Sequence, residues 1–200
     1  MLNPQYPDHR SKSRSGICSK CFVDIRFRSI QLTPAIVLFV FLAIGNANAQ
    51  TNMECGEFDA GYGTYDYRNP DHVANKLPIV ERMHFTDEVE NLTRGKSTFD
   101  PMGDIAYTLD RFPNHHRALY AMVRYMLKAE ERPAPGTRRS PECWFERASR
   151  FAPDDGLVKM LDGLYRHRIG DLDSSLDKYQ EALVLLPNFG ELHYNVGLLY

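Results

Sequence analysis

The stretch Met160-Leu-Asp-Gly163-Leu-Tyr-Arg-His-Arg-Ile-Gly170-Asp171-Leu-Asp-Ser-Ser-Leu-Asp-Lys-Tyr179-Gln-Glu-Ala182-Leu-Val-Leu-Leu-Pro187 decides the fold. Its marker residues return at one fixed interval. Gly163 recurs as Gly197, Ala148 precedes Ala182, Pro153 precedes Pro187, and Phe145 answers to Tyr179, each 34 residues apart. A period of that size is the mark of a helical repeat whose units cannot bury their apolar faces alone. Gly163 and Ala182 are small where two helices cross closely, and Tyr179 and Phe145 fill the space that small residues leave. Gly170-Asp171 lets the chain reverse, and Pro187 stops the second helix of the pair.

These residues resemble the tetratricopeptide (TPR) family. His193-x2-Val196-Gly197-x2-Tyr200 keeps that family's spacing of aromatic, aliphatic, Gly and Tyr, with His in place of the usual Trp. Ser175-x3-Tyr179 followed by Pro187 fits the second half of the unit. Asp162, Arg166 and Ser175 depart from the family pattern, which has an aliphatic residue, Tyr and Ala there. The resemblance implies an all-α fold: antiparallel helix pairs stacked into a solenoid, with the first helices of successive pairs lining a concave groove for a peptide.

Working outward, residues 103–112 end at Pro113 as a second helix would. Residues 115–129 place Leu119, Met122, Val123 and Met126 at helical intervals, which predicts an amphipathic first helix. The Pro- and Arg-rich residues 130–142 predict a loop. Pro113 and Pro153 stand 40 residues apart, so this loop reads as a six-residue insertion. Residues 143–152 supply the next second helix, with Phe145, Ala148 and Phe151 facing inward. The repeats therefore occupy 103–200. The chain stops at Tyr200 inside a first helix, and the expectation is that further helices follow.

Residues 50–102 carry no repeat. Gly56-Glu-Phe58-Asp-Ala-Gly61-Tyr62-Gly63-Thr-Tyr65-Asp-Tyr67 mixes glycine and aromatics, Asn69-Pro70-Asp71 reads as a turn, and Leu77-Pro78 reads as extended. Thr86 is expected to cap a short helix over 87–93 that Gly95 ends. The segment is read as an irregular cap on the open end of the stack. A peptide- or sugar-binding aromatic patch is the alternative.

Residues 1–49 read as a secretory signal: a basic start, ten apolar residues over 35–44, and Ala47-Asn48-Ala49 before Gln50. A membrane span would need about 20 apolar residues, so an uncleaved anchor is the competing reading. Cys18 and Cys21 fall in this leader. The remaining cysteines, Cys55 and Cys143, lie 88 residues apart. In an oxidising compartment they are expected to pair; two separate buried thiols are the alternative.

Charge excludes one class of partner. Net charge is −2, but six of the 24 basic residues and two of the 26 acidic ones lie in 1–49. The remainder carries 18 basic and 24 acidic residues, a poor match for nucleic acid phosphates. No catalytic constellation, cofactor motif or metal-ligand spacing stands out. His115 and His116 are adjacent, so on a helix they diverge by about 100°. Asp154, Asp155, Asp171 and Asp173 sit where carboxylates cap helices.

The first-helix faces turned from the core offer Arg117, Tyr120, Arg124 and Lys128, then Met160, Leu164, His167 and Arg168, then Tyr194. That predicts a cationic, aromatic partner-binding groove, against the plainer reading of a solvated basic face. Leu164 and Leu198 occupy two places where the family's carboxylate clamp has polar residues, so that ligand does not carry over. The expected function is an exported scaffold or adaptor for a protein or peptide, periplasmic if the leader is bacterial and otherwise secretory or extracellular. The alternative is a structural subunit of an envelope assembly that self-associates.

Overall fold

Three helix-to-helix turns share one backbone pattern. In Phe112-Pro113-Asn114-His115, Ala152-Pro153-Asp154-Asp155 and Leu186-Pro187-Asn188-Phe189, the first residue's N–H closes the preceding helix four residues back. The fourth residue's N–H then bonds the first residue's carbonyl, at 3.0, 3.1 and 3.2 Å. Proline cannot continue the helix because it lacks the N–H and crowds the preceding turn, so each helix stops at the same point of its unit. The computed structural model that carries this pattern describes residues 55–58, 61–129 and 138–200, all within one compact unit, 48–200. The leader with Cys18 and Cys21, and most of the 130–142 loop, lie outside the described residues.

Those described residues are all-helical: α1 (Pro70–Asn75), α2 (Leu77–His84), α3 (Asp87–Glu90), α4 (Pro101–Arg111), α5 (His116–Lys128), α6 (Pro141–Phe151), α7 (Gly156–Ile169), α8 (Leu172–Leu185) and α9 (Gly190–Gly197). Neighbours in sequence pack on each other from α4 to α9, and α5 also packs on α7. No helix among the described residues is long and apolar enough to cross a membrane.

The α7–α8 hairpin gives its small and aromatic residues a steric role. A β-carbon added at Gly163 would fall 2.5 Å from the Tyr179 ring, and Tyr179 and Ala182 are fully buried. Ser175, one position that departs from the family pattern, donates from Oγ to the Gly163 carbonyl at 2.8 Å. Gly170 closes α7 at φ +85°, and Asp171 caps α8. Buried Asp162 is held by Arg166 at 2.8 Å. Phe145 and Ala148 occupy the corresponding core positions on α6, whereas Phe151 is only half-buried. Pro153 and Pro187 lie exposed just beyond helix ends. Gly197 meets open space and Tyr200 is exposed.

Cys55 and Cys143 are disulfide-bonded, as expected. Three arginines fix the strap that follows Cys55. Arg139 donates to the Cys55 carbonyl (3.1 Å), Arg147 to those of Gly56 (2.9 Å) and Glu57 (2.8 Å), and Arg150 to Gly56 (2.7 Å). Phe58 lies under the Arg147 and Arg150 guanidinium groups, 4.9 and 4.8 Å from them, and edge-on to Phe151.

The segment 50–102 is less irregular than its sequence suggests. Asn69 caps α1, accepting from the N–H groups of Asp71 and His72, with Pro70 at the first helical position. Leu77-Pro78 opens α2 rather than an extended run, because a proline in the first turn forfeits no internal hydrogen bond. Thr86 makes no side-chain cap, and α3 ends at Glu90. The α4 helix starts at Pro101, capped by Asp100, and α6 at Pro141, capped by Ser140, each two residues earlier than the sequence predicts. Residues 96–98 wrap the buried carboxylate of Asp104. It accepts from the N–H groups of Lys96 (2.7 Å) and Thr98 (3.0 Å), from the Thr98 hydroxyl (2.7 Å) and from His84 (2.8 Å).

Candidate functional site

The candidate site is a groove of about 280 Å³ between α5 and α7, lined also by Phe189 in the turn before α9. Amphipathic register builds its walls. On α5, Leu119, Met122 and Val123 face the core, which leaves Arg117 and Tyr120 on the outer side. On α7, Met160 and Leu164 are one turn apart, and Leu157 and Leu161 extend the same face. The floor is apolar; the rim carries Glu90, His116, Arg117 and Glu191.

Four of the nine groove residues expected from sequence come together here: Arg117, Tyr120, Met160 and Leu164. Arg124 lies beside them, its guanidinium 5.2 Å from the Tyr120 ring centroid and donating to the Glu90 carbonyl. Lys128, His167, Arg168 and Tyr194 do not line this groove. Tyr194 is exposed on α9. Met160 is buried as well as groove-lining, so it serves the core and the site together.

The expected cationic lining is corrected by the geometry. Arg117 grips Glu90 through Nε (2.9 Å) and a second, terminal nitrogen, and reaches Glu81 through Nη1 at 3.2 Å. Its cation also sits over the Phe85 ring at 5.5 Å. The hydrogen bond from Arg117 holds the Glu90 carboxyl below its ordinary pKa, and Glu90 raises that of Arg117. Glu191 enters no ion pair among the described residues, so the rim is acidic on balance.

Two histidines beside the groove hold its surroundings in place, one buried and one on the rim. His115 is fully buried; its Nδ1 accepts the Ala118 N–H at 3.1 Å, so Nε2 carries the proton and donates to Glu81 at 3.1 Å. Burial depresses its pKa despite Glu81, and Tyr67 stacks on the ring at 4.2 Å. His116 instead bonds Asp155 at 2.9 Å. Asp155 also takes Asn114 (3.0 Å) and caps α7, tying one Pro turn to the next. Burial raises the Asp155 carboxyl, but these donors outweigh it and leave the pKa lowered. The two histidines thus serve different carboxylates.

Sequence reasoning missed Phe189, Leu157, Leu161, His116, Glu90 and Glu191 as groove residues. The period could have found Phe189, which stands 34 residues after Asp155 in the same turn position. Glu90 had no such signal, because α3 lies outside the repeats and reaches α5 only through tertiary packing. Compared with known family models, characterised proteins and solved structures, the chain matches none.

Proposed function

We propose that this chain is an exported TPR-type interaction module that takes an apolar anchor of a protein partner into the α5–α7 groove. The observation that carries the proposal is the groove's make-up: an apolar floor with Tyr120 exposed beside it, under a rim whose one arginine is already held by Glu90 and Glu81. At about 280 Å³ it falls just below the usual range for small-molecule pockets, roughly 300–1,000 Å³. That space suits one or two anchoring side chains rather than a large cofactor. The acidic rim favours basic residues beside the anchor in the partner. The 34-residue period and the repeated Pro turns support the solenoid reading. The Cys55–Cys143 bond accords with an oxidising compartment and hence with export.

The test is retention of envelope or secreted proteins on the immobilised, disulfide-intact chain. A partner retained by the native chain and lost with Leu164→Glu supports the reading. Identical retention by both removes it. A second reading, a self-associating structural subunit, is favoured by the exposed apolar side chains of Tyr194, Leu198 and Tyr200. Light scattering separates the two, since self-association predicts an oligomer that Leu198→Glu dissolves.

A further inference from the structure

A second cavity, about 500 Å³, opens among the residues before α1, the α1–α2 pair and α4, and shares no lining residue with the α5–α7 groove. Its walls are aromatic and aliphatic. Tyr62, Ile79, Met83 and Tyr107 all line it while remaining exposed.

These walls are fixed in advance. Tyr107 is stacked on His84 with ring centroids 3.8 Å apart, and His84 is anchored to Asp104 at 2.8 Å. The Tyr65 hydroxyl donates to the Tyr62 carbonyl at 2.8 Å, which holds the Tyr62-Gly63 turn. Gly63 sits at φ +81°, and a β-carbon there would fall 2.9 Å from the Tyr65 hydroxyl, so the turn requires glycine. The Arg111 guanidinium lies between Tyr62 and Tyr107, 5.8 and 5.6 Å from the ring centroids, and donates to the Gly63 carbonyl at 3.2 Å.

Among the described lining residues Lys76 and Arg111 are the charged ones, and none is Asp or Glu. Lys76 is exposed, enters no ion pair among the described residues, and holds its ammonium 5.7 Å from the Tyr65 ring centroid. The protein's own cations therefore sit at the ring faces where a ligand cation would otherwise dock. A neutral sugar would find no carboxylate among the described lining residues to accept its hydroxyls. An anion finds the exposed Lys76 ammonium and three aromatic rings.

We propose that this cavity binds a small ligand with a planar apolar body and one anionic group, an aromatic carboxylate or sulfonate. The rings and the Ile79 and Met83 side chains cover the body, and Lys76 takes the anion. Its volume lies within the roughly 300–1,000 Å³ of small-molecule sites. The site is independent of the partner groove.

The test is fluorescence titration of the disulfide-intact chain with anilinonaphthalene sulfonate and, in parallel, with its uncharged parent phenylnaphthylamine. The expected result is saturation at one sulfonate per chain, with affinity about tenfold above that of the parent, as a charge-assisted contact provides. Lys76→Glu should weaken the sulfonate about tenfold, and Tyr62→Ala about fivefold by removing one ring. Both positions are exposed, so neither change disturbs the core. Leu164→Glu in the other groove should leave the titration unchanged. Equal affinity for the two probes, indifference to Lys76→Glu, or loss with Leu164→Glu would each overturn the proposal.

Discussion

The ring of Tyr179 lies against the backbone of Gly163, leaving no room for a β-carbon: one placed there would meet ring Cδ1 at 2.5 Å. This contact joins α7 to α8, and the Ser175 hydroxyl seals it by bonding the Gly163 carbonyl. Gly163→Ala should therefore destabilise, even though alanine is the better helix former by about 1 kcal/mol. Overpacking costs about 1–3 kcal/mol, so a net loss should appear as a lower urea midpoint. Adding Tyr179→Leu should recover part of it, giving a double mutant less destabilised than the sum of the singles.

Cys55 and Cys143 close a loop of 88 residues. Chain entropy makes such a closure worth about 4–5 kcal/mol. Serine at both positions should lower stability by a large part of that amount and expose the strap over 55–58 to protease. Equal digestion rates for native and variant chains would show that the arginine contacts alone hold the strap.

Arg147 is buried, with the Cys55, Gly56 and Glu57 carbonyls and Asp110 as its partners. Burial and the neighbouring Arg139 and Arg150 charges lower its pKa. Arg147→Ala should cost about 3 kcal/mol, because it strands those acceptors. Arg147→Lys should restore less than half of the loss, since one ammonium cannot reproduce the planar fork. Denaturant titration of the two variants side by side measures this.

Acid should act on His115 before it acts on the carboxylates. The folded pKa of His115 is lowered by burial, so the unfolded chain binds its proton first. Stability should then fall as pH drops below the ordinary histidine value of about 6.5. His115→Asn keeps a capping side chain and removes the titration, so its midpoint should change less between pH 7 and 5 (roughly this window, from the ordinary value). Asp104 follows at lower pH. Burial raises its carboxyl, but the donors from Thr98, His84 and Lys96 outweigh that and lower the pKa. Its contribution is present above the ordinary value of about 3.9 and is lost as pH falls further.

What the sequence made legible is what recurs. The three Pro turns share one backbone hydrogen-bond pattern, so their spacing predicts the helix limits closely, and Gly163 opposite Tyr179 and the buried Phe145 are read from the same interval. The α1 and α2 helices were not legible. They hold only six and eight residues, too few to show a period, and Pro70 and Pro78 look like breakers until their first-turn positions are known. Four of the groove's ten lining residues were likewise visible, since Arg117, Tyr120, Met160 and Leu164 follow from helical register. Its charge was not. Arg117 reads as a free cation in sequence, and only the packing of α3 beside α5 brings Glu90, 27 residues away, onto it.

The proposed occupant of the α5–α7 groove is a partner's apolar anchor. The most direct measurement is in-cell crosslinking from a photoreactive residue at position 120, with mass spectrometry of the adducts, in native and Leu164→Glu backgrounds. The expected result is one dominant foreign protein, crosslinked through an apolar residue with basic neighbours, whose adduct disappears with Leu164→Glu. Self-adducts alone, or a foreign adduct that Leu164→Glu leaves intact, would contradict it.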